Sequence, residues 1–175
     1  NLALTGDPDV VAALSSRGPS DDGRVKPDLV APGVGIAAAR SHDSDTPIHP
    51  YPASPGLYQY MSGTSMAAPL VAGAAAVVRE YYRTQRNQAR PSAALLKATL
   101  INGSQWINHP VVTDPGIGRP NFHQGFGRLN LARAIPFNPD AGFALEFVDI
   151  DNKAPQALVA GTMALEFFVP GLPAI

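Results

Sequence analysis

The sequence predicts an α/β fold built round a buried central helix and followed by the start of a β-rich module. Three observations carry that expectation. The run Met66, Ala67, Ala68, Leu70, Val71, Ala72, Gly73, Ala74, Ala75, Ala76, Val77, Val78 is apolar on every side, and a helix with no polar face is a buried one. Brief apolar segments bounded by punctuating residues, such as Leu29-Val30-Ala31 before Pro32-Gly33, read as short buried strands. From Phe143 the pattern changes: Phe143, Leu145 and Phe147 alternate with Ala144, Glu146 and Val148, the period of a half-buried strand.

Taken in chain order, Asp9–Ser16 is apolar-rich and suits a strand leading into the Arg17-Gly18-Pro19 turn. Asp21–Lys26 is a charged turn, and Val34–Ala39 continues from Leu29–Ala31 as a second short strand. Asp43–Tyr58 is a long loop rich in proline and tyrosine, either a spacer or the lining of a cleft on the leaving-group side. Tyr58-Gln59-Tyr60-Met61 reads as a strand feeding the central helix, which runs from Ser65 to about Arg83; Arg79, Glu80 and Arg83 mark its emergence into solvent. Pro91-Ser92 opens a second helix that stops at Asn102-Gly103. Asn102-Gly103-Ser104 has the form of a glycosylation sequon, but a helix stop is the better reading. Val111–His123 is a turn-rich loop, Phe126–Leu129 a short strand and Leu131–Ile135 a last helical turn.

Pro139-Asp140-Ala141-Gly142 reads as a linker, which divides the chain into residues 1–137 and a tail, 138–175, holding the first strands of a β-sandwich-like module. Met163 to Val169 is a second strand of that tail. Asp149-Ile150-Asp151-Asn152 has the look of an opening calcium loop, yet it lacks the glycine at the sixth position, and Ala160 stands where a bidentate glutamate belongs. It reads as a turn, and no metal ligand set can be named.

Composition narrows the function classes. A net charge of −1 over 175 residues gives no electrostatic reason to expect nucleic acid. No apolar stretch has the length of a membrane span, since Met66–Val78 is broken by Pro69 and Gly73. Cysteine is absent, so disulfides contribute nothing and the redox compartment is not readable. The sequence starts without methionine or a signal segment, as expected of a piece of a longer precursor.

The chemistry centres on Gly63-Thr64-Ser65-Met66-Ala67-Ala68-Pro69. A serine hydroxyl is a poor nucleophile until a base removes its proton and backbone donors hold the oxyanion that follows. The first N–H groups of a helix have no intrahelical acceptor and sit at the positive end of its dipole, so Ser65 at a helix start has an anion site beside it. Gly63 removes bulk where substrate approaches and permits unusual torsions. Pro69 is tolerated close to a helix start. A serine in such a place is most often only an N-cap; the whole heptapeptide with an apolar helix behind it favours the nucleophile.

This motif, continued by Leu70-Val71-Ala72-Gly73, resembles the nucleophile motif of subtilisin-like serine peptidases. Ser15-Ser16-Arg17-Gly18-Pro19 and Lys26-Pro27-Asp28-Leu29-Val30-Ala31-Pro32-Gly33 are similar to blocks that precede it in that family. Leu95–Ile101 and Gly125-Phe126-Gly127-Arg128-Leu129-Asn130 are similar to the helix and strand that close the domain. The likeness covers about Ala12 to Pro136 and implies part of a parallel-sheet subtilisin-like fold, in a larger member with a C-terminal β-domain. Leu70 stands where many members have histidine, a subfamily difference. The resemblance implies a serine endopeptidase with Ser65 as nucleophile and with Gly63, Thr64 and Met66 lining the oxyanion and substrate site. It implies a polypeptide substrate and a secreted or cell-surface protein. Calcium is common in the family, but no cofactor is assigned here.

The family's order is Asp, His, Ser, and the partners of Ser65 are not found. Its base sits in a His-Gly-Thr setting, whereas His42 precedes Asp43-Ser44 and His49 precedes Pro50-Tyr51, both in a loop. His109 and His123 also lie in turn-rich segments, Asp21-Asp22-Gly23 is a turn signature, and Asp28 belongs to a structural block. In subtilisin itself, the type case, losing the histidine or serine costs about 10⁶-fold in turnover and leaves about 10³–10⁴-fold over water. The expectation is therefore a chain inactive alone, needing the N-terminal part of the catalytic domain. Half a sheet also leaves an unpaired edge and an uncovered apolar face, which predicts self-association. The alternative is a non-catalytic subtilase-like binding or scaffold module, against which the intact Gly-Thr-Ser motif argues.

Overall fold

The computed structural model describes residues 7–43, 49–108, 118–137 and 145–149. It contains strands β1 (Ile36–Ala39) and β2 (Tyr58–Met61) and helices α1 (Thr64–Gln85), α2 (Ala93–Asn102) and α3 (Leu131–Ala134). The α/β class holds. β1 and β2 form an antiparallel pair in the register Ile36↔Met61 to Ala39↔Tyr58. Parallel pairing among the described residues is a bridge between Val30 and Arg128, held by Val30 N–H to Gly127 O at 3.0 Å and Leu129 N–H to Val30 O at 2.9 Å. Of the strands expected at Leu29–Ala31 and Phe126–Leu129, only that isolated bridge forms among the described residues.

The core forms where α1 meets α2 and α3. Ala74, Val78 and Tyr82 recur every four residues, so they share one face of α1. They pack with Leu95 and Leu100 of α2 and with Ile135. Tyr82 is fully buried, and its hydroxyl lies 2.7 Å from Thr99 Oγ1, which donates to Leu95 O at 2.8 Å. The polar end of the largest core side chain is thereby satisfied. α2 begins as its sequence predicts: Ser92 is extended and its hydroxyl accepts from Leu95 N–H at 3.0 Å.

α2 ends at Gly103, for a different reason from a left-handed cap. Gly103 is helical (φ −80), but a Cβ there would lie 2.3 Å from Ala134 Cα. It is glycine so that α2 and α3 can touch. Ser104 in the sequon is buried, with its hydroxyl donating to the carbonyls of Ile101 and Phe126 at 2.7 and 2.8 Å. That supports a structural role for the tripeptide.

Two expectations are corrected. Asp9–Ser16 is not a strand; its backbone bonds are local turns, Val10 N–H to Asp7 O at 3.1 Å and Ser15 N–H to Ala12 O at 2.9 Å. An apolar segment becomes a strand only beside a ladder partner. The central helix is not buried all round either. Leu70 and Val77 of α1 are 42% and 43% exposed. Its composition calls for neighbours on every side, and the described residues supply them on one.

Leu145–Asp149 keeps the alternation read from the sequence, with Leu145 buried, Phe147 half-buried, and Glu146 and Val148 exposed. These residues pair with no strand; they pack on α1 and α2. The proposed strand at Met163 to Val169, the linker at Pro139–Gly142 and the rest of the tail lie outside the described residues.

Candidate active site

Local geometry brings the motif to one point. β2 ends at Met61, and the chain then passes through Ser62 and Gly63 into α1. Two bonds hold this turn against the segment before β1: Gly63 N–H donates to Gly33 O at 2.7 Å, and Gly35 N–H donates to Ser62 Oγ at 2.9 Å. Gly33 is the residue whose role sequence reasoning missed. A Cβ there would stand 2.8 Å from Gly63 O and 3.2 Å from Ala67 Cβ, so this contact tolerates only glycine. The signal lay in the Pro32-Gly33 pair, which reads as a strand stop; what it touches is tertiary.

Gly63 is glycine for neither torsional nor packing reasons within the chain. Its φ of 164 is ordinary extended backbone, and a Cβ would meet Met66 Sδ at a comfortable 3.6 Å. The expected unusual torsions are absent.

Gly63 is the N-cap of α1 and makes no side-chain cap bond, and the first turn holds no acidic residue. The N–H groups of Thr64 and Ser65 therefore have no intrahelical acceptor and stand at the positive end of a 22-residue dipole that no acidic residue of the first turn offsets. Thr64 and Ser65 are exposed, and Met66 is half-buried, its N–H donating to Gly63 O at 3.0 Å. Pro69 lies inside α1. Lacking an N–H, it leaves the Ser65 carbonyl without its usual i+4 partner and loosens the first turn around the nucleophile.

Among the described residues Ser65 Oγ has no hydrogen-bond partner, and His42, His49 and His123 make no bond to it. His49 serves through its carbonyl, which accepts from Tyr60 N–H at 2.8 Å, and His123 N–H donates to Asn121 Oδ1 at 3.0 Å. His109 lies outside the described residues. Asp28 is structural, as read: its carboxylate bridges Lys26 Nζ at 2.5 Å and Lys97 Nζ at 2.7 Å. Burial pushes the Asp28 carboxyl up, but the two lysines outweigh it and hold it below its ordinary value. Asp149, which opens the calcium-like run, is spent on protein donors (Ser92 N–H and Gln88 Nε2). No group of three or more potential metal ligands occurs among the described residues.

An apolar cavity of about 580 Å³ lies beside the turn into α1. Gly63, Thr64, Ala67, Ala68 and Val71 of α1 face Val10, Val11 and Leu14 and the segment Leu29–Val34 across it. It is lined by Thr64 but not by Ser65. This is an apolar gap between elements and does not hold the reacting group.

Before β2, the loop is organised by aromatic packing. Tyr51 stacks edge-on against Tyr60 at 5.4 Å and against Tyr58 at 6.4 Å, while Gln59 between them is buried. The Tyr51 N–H donates to Tyr58 O at 3.1 Å, so residues 49–51 run along β2 as a third line of pairing. The 49–58 part of the loop is thus a brace for the strand that delivers Ser65.

Ser65 thus stands exposed in the first turn of α1, at the end of a braced strand, within an α/β protein. The Subtilase family model matches residues 4–127, and the chain belongs to that family. Similar proteins include the subtilisin-like protease SBT4.4 of Arabidopsis thaliana, 41% identical over 82% of this chain and 18% of its own length. The serine protease AprX of Bacillus subtilis is 36% identical over 78% of this chain and 28% of its own. The serine protease/ABC transporter B family protein tagD of Dictyostelium discoideum is 36% identical over 70% of this chain and 8% of its own. The chain thus spans between 8% and 28% of these relatives' lengths. The Clostridium perfringens CspB protease structure aligns with a TM-score of 0.48 at 29% identity, over 67% of this chain and 21% of that one.

Proposed function

We propose that this chain supplies the nucleophile of a serine endopeptidase whose general base and orienting acid belong to an upstream part of the same protein. The observation that carries the reading is Ser65: exposed, at the unneutralised N-terminal end of α1, and with its hydroxyl unpartnered among the described residues. In the assembled protein Ser65 Oγ attacks the scissile carbonyl carbon while a histidine accepts its proton. The Ser65 N–H, with Thr64 beside it, helps hold the oxyanion, and Gly63 leaves room for the substrate. The C–N bond then breaks, the amine leaves with the proton, and water hydrolyses the acyl-enzyme. Met66 flanks the nucleophile, where oxidation to a polar sulfoxide would disturb the site.

The upstream part packs against the uncovered sides of α1 and into the apolar cavity behind the nucleophile turn. Exposed Leu70 and Val77 and the about 580 Å³ gap support this. Alone, the chain covers these surfaces by self-association. The substrate is a polypeptide, and the protein acts outside the cell, as the names of relatives called a secreted protease and an extracellular protease support. No described helix is long and apolar enough to cross a membrane.

The test is reconstitution. The chain is mixed, or co-expressed, with the polypeptide encoded upstream of it and assayed on a chromogenic peptide, with Ser65→Ala as control. Hydrolysis requires both parts, sedimentation shifts from self-associated chain to a one-to-one complex, and Ser65→Ala removes about 10⁶-fold in turnover. Turnover by this chain alone, or turnover surviving Ser65→Ala, overturns the reading. A tight complex without hydrolysis supports the non-catalytic scaffold instead.

A further inference from the structure

At the far end of α1, five residues converge on the corner between α1 and α2. Leu145 is 8% exposed and belongs to the core cluster with Val78, Tyr82 and Leu95. The Phe147 ring meets Tyr82 edge-on at 4.8 Å, and the Arg86 guanidinium stands 5.4 Å from its centre. Arg86 also lies 4.0 Å from Glu146. Asp149 Oδ2 accepts from Ser92 N–H at 2.8 Å and from Gln88 Nε2 at 3.0 Å. Ser92 is the N-cap of α2, which has no acidic residue in its first turn, so Asp149 places a carboxylate at the positive end of that helix from a distant part of the sequence.

The apolar contacts fall on the adjoining parts of the two helices, and Arg86, Gln88 and Ser92 place the others on the connector between them. That connector reverses at Asn87, a non-glycine residue in the left-handed region (φ 53), and Gln88 N–H closes the turn onto Tyr82 O at 2.9 Å. Burial, ring stacking, a cation over a ring and a charged cap thus come from successive residues of one extended segment onto Tyr82, Arg86, Gln88 and Ser92.

We propose that Leu145–Asp149 is an internal docking strap, which fastens the C-terminal part of the chain to the α1–α2 corner and orders the connector beneath it. Residues as far as Asp149 then fold with the helices, and anything after Asp149 is tethered to the far end of the helix that carries Ser65. This inference stands apart from the peptidase reading, since none of its contacts involves the nucleophile.

The absence of cysteine makes the test clean. Val148→Cys, at a position 56% exposed, takes a single nitroxide label on the strap of the 175-residue chain. The label is restrained in the parent and becomes mobile in the Phe147→Ala, Asp149→Asn double variant. Backbone hydrogen exchange over residues 88–96 accelerates about tenfold in that variant while helix content is kept. Asp149→Asn alone, which keeps the shape and removes the charge, accelerates exchange at Ser92 by about threefold. A label equally restrained in both proteins overturns the proposal. If the double variant loses its helices, unchanged exchange in Asp149→Asn does so instead.

Discussion

Towards its C-terminal end α1 buries one face deeply among the described residues, whereas about 25 Å away at its N-terminal end those residues leave it more open. Tyr82 is fully buried, bonded to Thr99 and flanked by Tyr81 and Phe147, at 5.5 and 4.8 Å. Around Ser65, by contrast, the N–H groups of Thr64 and Ser65 have no intrahelical acceptor, Leu70 is exposed and an apolar gap lies beside Gly63 and Ala67. One helix serves two purposes. Its distal half is a structural post secured by α2, and its proximal half is the part to which the proposed function assigns the nucleophile. A nucleophile needs an unpaired hydroxyl and unsatisfied donors, and these are features that a self-sufficient core eliminates.

The sharpest way to break that comparison is to truncate both ends. Tyr82→Ala opens a large cavity and orphans part of the Thr99 network, and lowers stability by about 3–5 kcal/mol in denaturant melts. Leu70→Ala in the same chain costs less than about 0.5 kcal/mol, because that side chain is already half in water. Equal losses would mean that the two halves of α1 are alike after all. In the assembled protein the Leu70 cost rises towards about 2 kcal/mol, the signature of a face that has been covered.

A second substitution separates shape from stability at the proximal end. Gly33→Ala forces a methyl to within 2.8 Å of Gly63 O, a backbone atom that cannot swing aside. The nucleophile turn moves instead. Turnover in the reconstituted protein falls about 100-fold, the scale set by displacing a catalytic group by about 1 Å, and the loss lies in kcat. A Gly63→Ala variant that keeps its melting temperature completes the contrast, since nothing in the chain crowds a Cβ there.

Those two glycines also mark how far the sequence could be read. The heptapeptide pointed to Ser65 as a candidate because helix-end chemistry is local: the donors, the cap and the dipole all follow from a few adjacent residues. For the same reason α1, α2, α3, β1 and β2 were legible from periodicity and punctuation. What was not legible is tertiary. Gly33 is fixed by a residue 30 positions away, and Gly103 by Ala134. Asp9–Ser16 had the apolar content of a strand without the ladder partner that makes one. Alternation at Leu145–Val148 correctly gave one buried and one exposed edge, but period two cannot say whether the buried edge meets a sheet or, as here, two helices.

The smallest effect comes from a charge cluster that sits between the two regions. Asp28 ties the segment before β1 to α2 by accepting from Lys26 and Lys97, and its neighbour Leu29 lines the cavity beside the proximal half of α1. Burial opposes ionisation of Asp28, yet the two lysines hold its carboxyl below the ordinary value of 3.8. A carboxyl depressed in the folded state contributes its stability in full above the unfolded value and loses it as pH falls through the folded one. The contribution is thus intact at neutral pH and declines once pH falls below about 4. Because all three side chains are partly solvated, at 32% exposure for Asp28 and 41% and 55% for the lysines, Asp28→Asn costs only about 1 kcal/mol at pH 7. Melts at pH 7 and pH 3 check it: the variant and parent differ at the first and converge at the second. A constant gap across that range would show that Asp28 acts through its shape and hydrogen bonds alone, and that the tether between the two regions is not electrostatic.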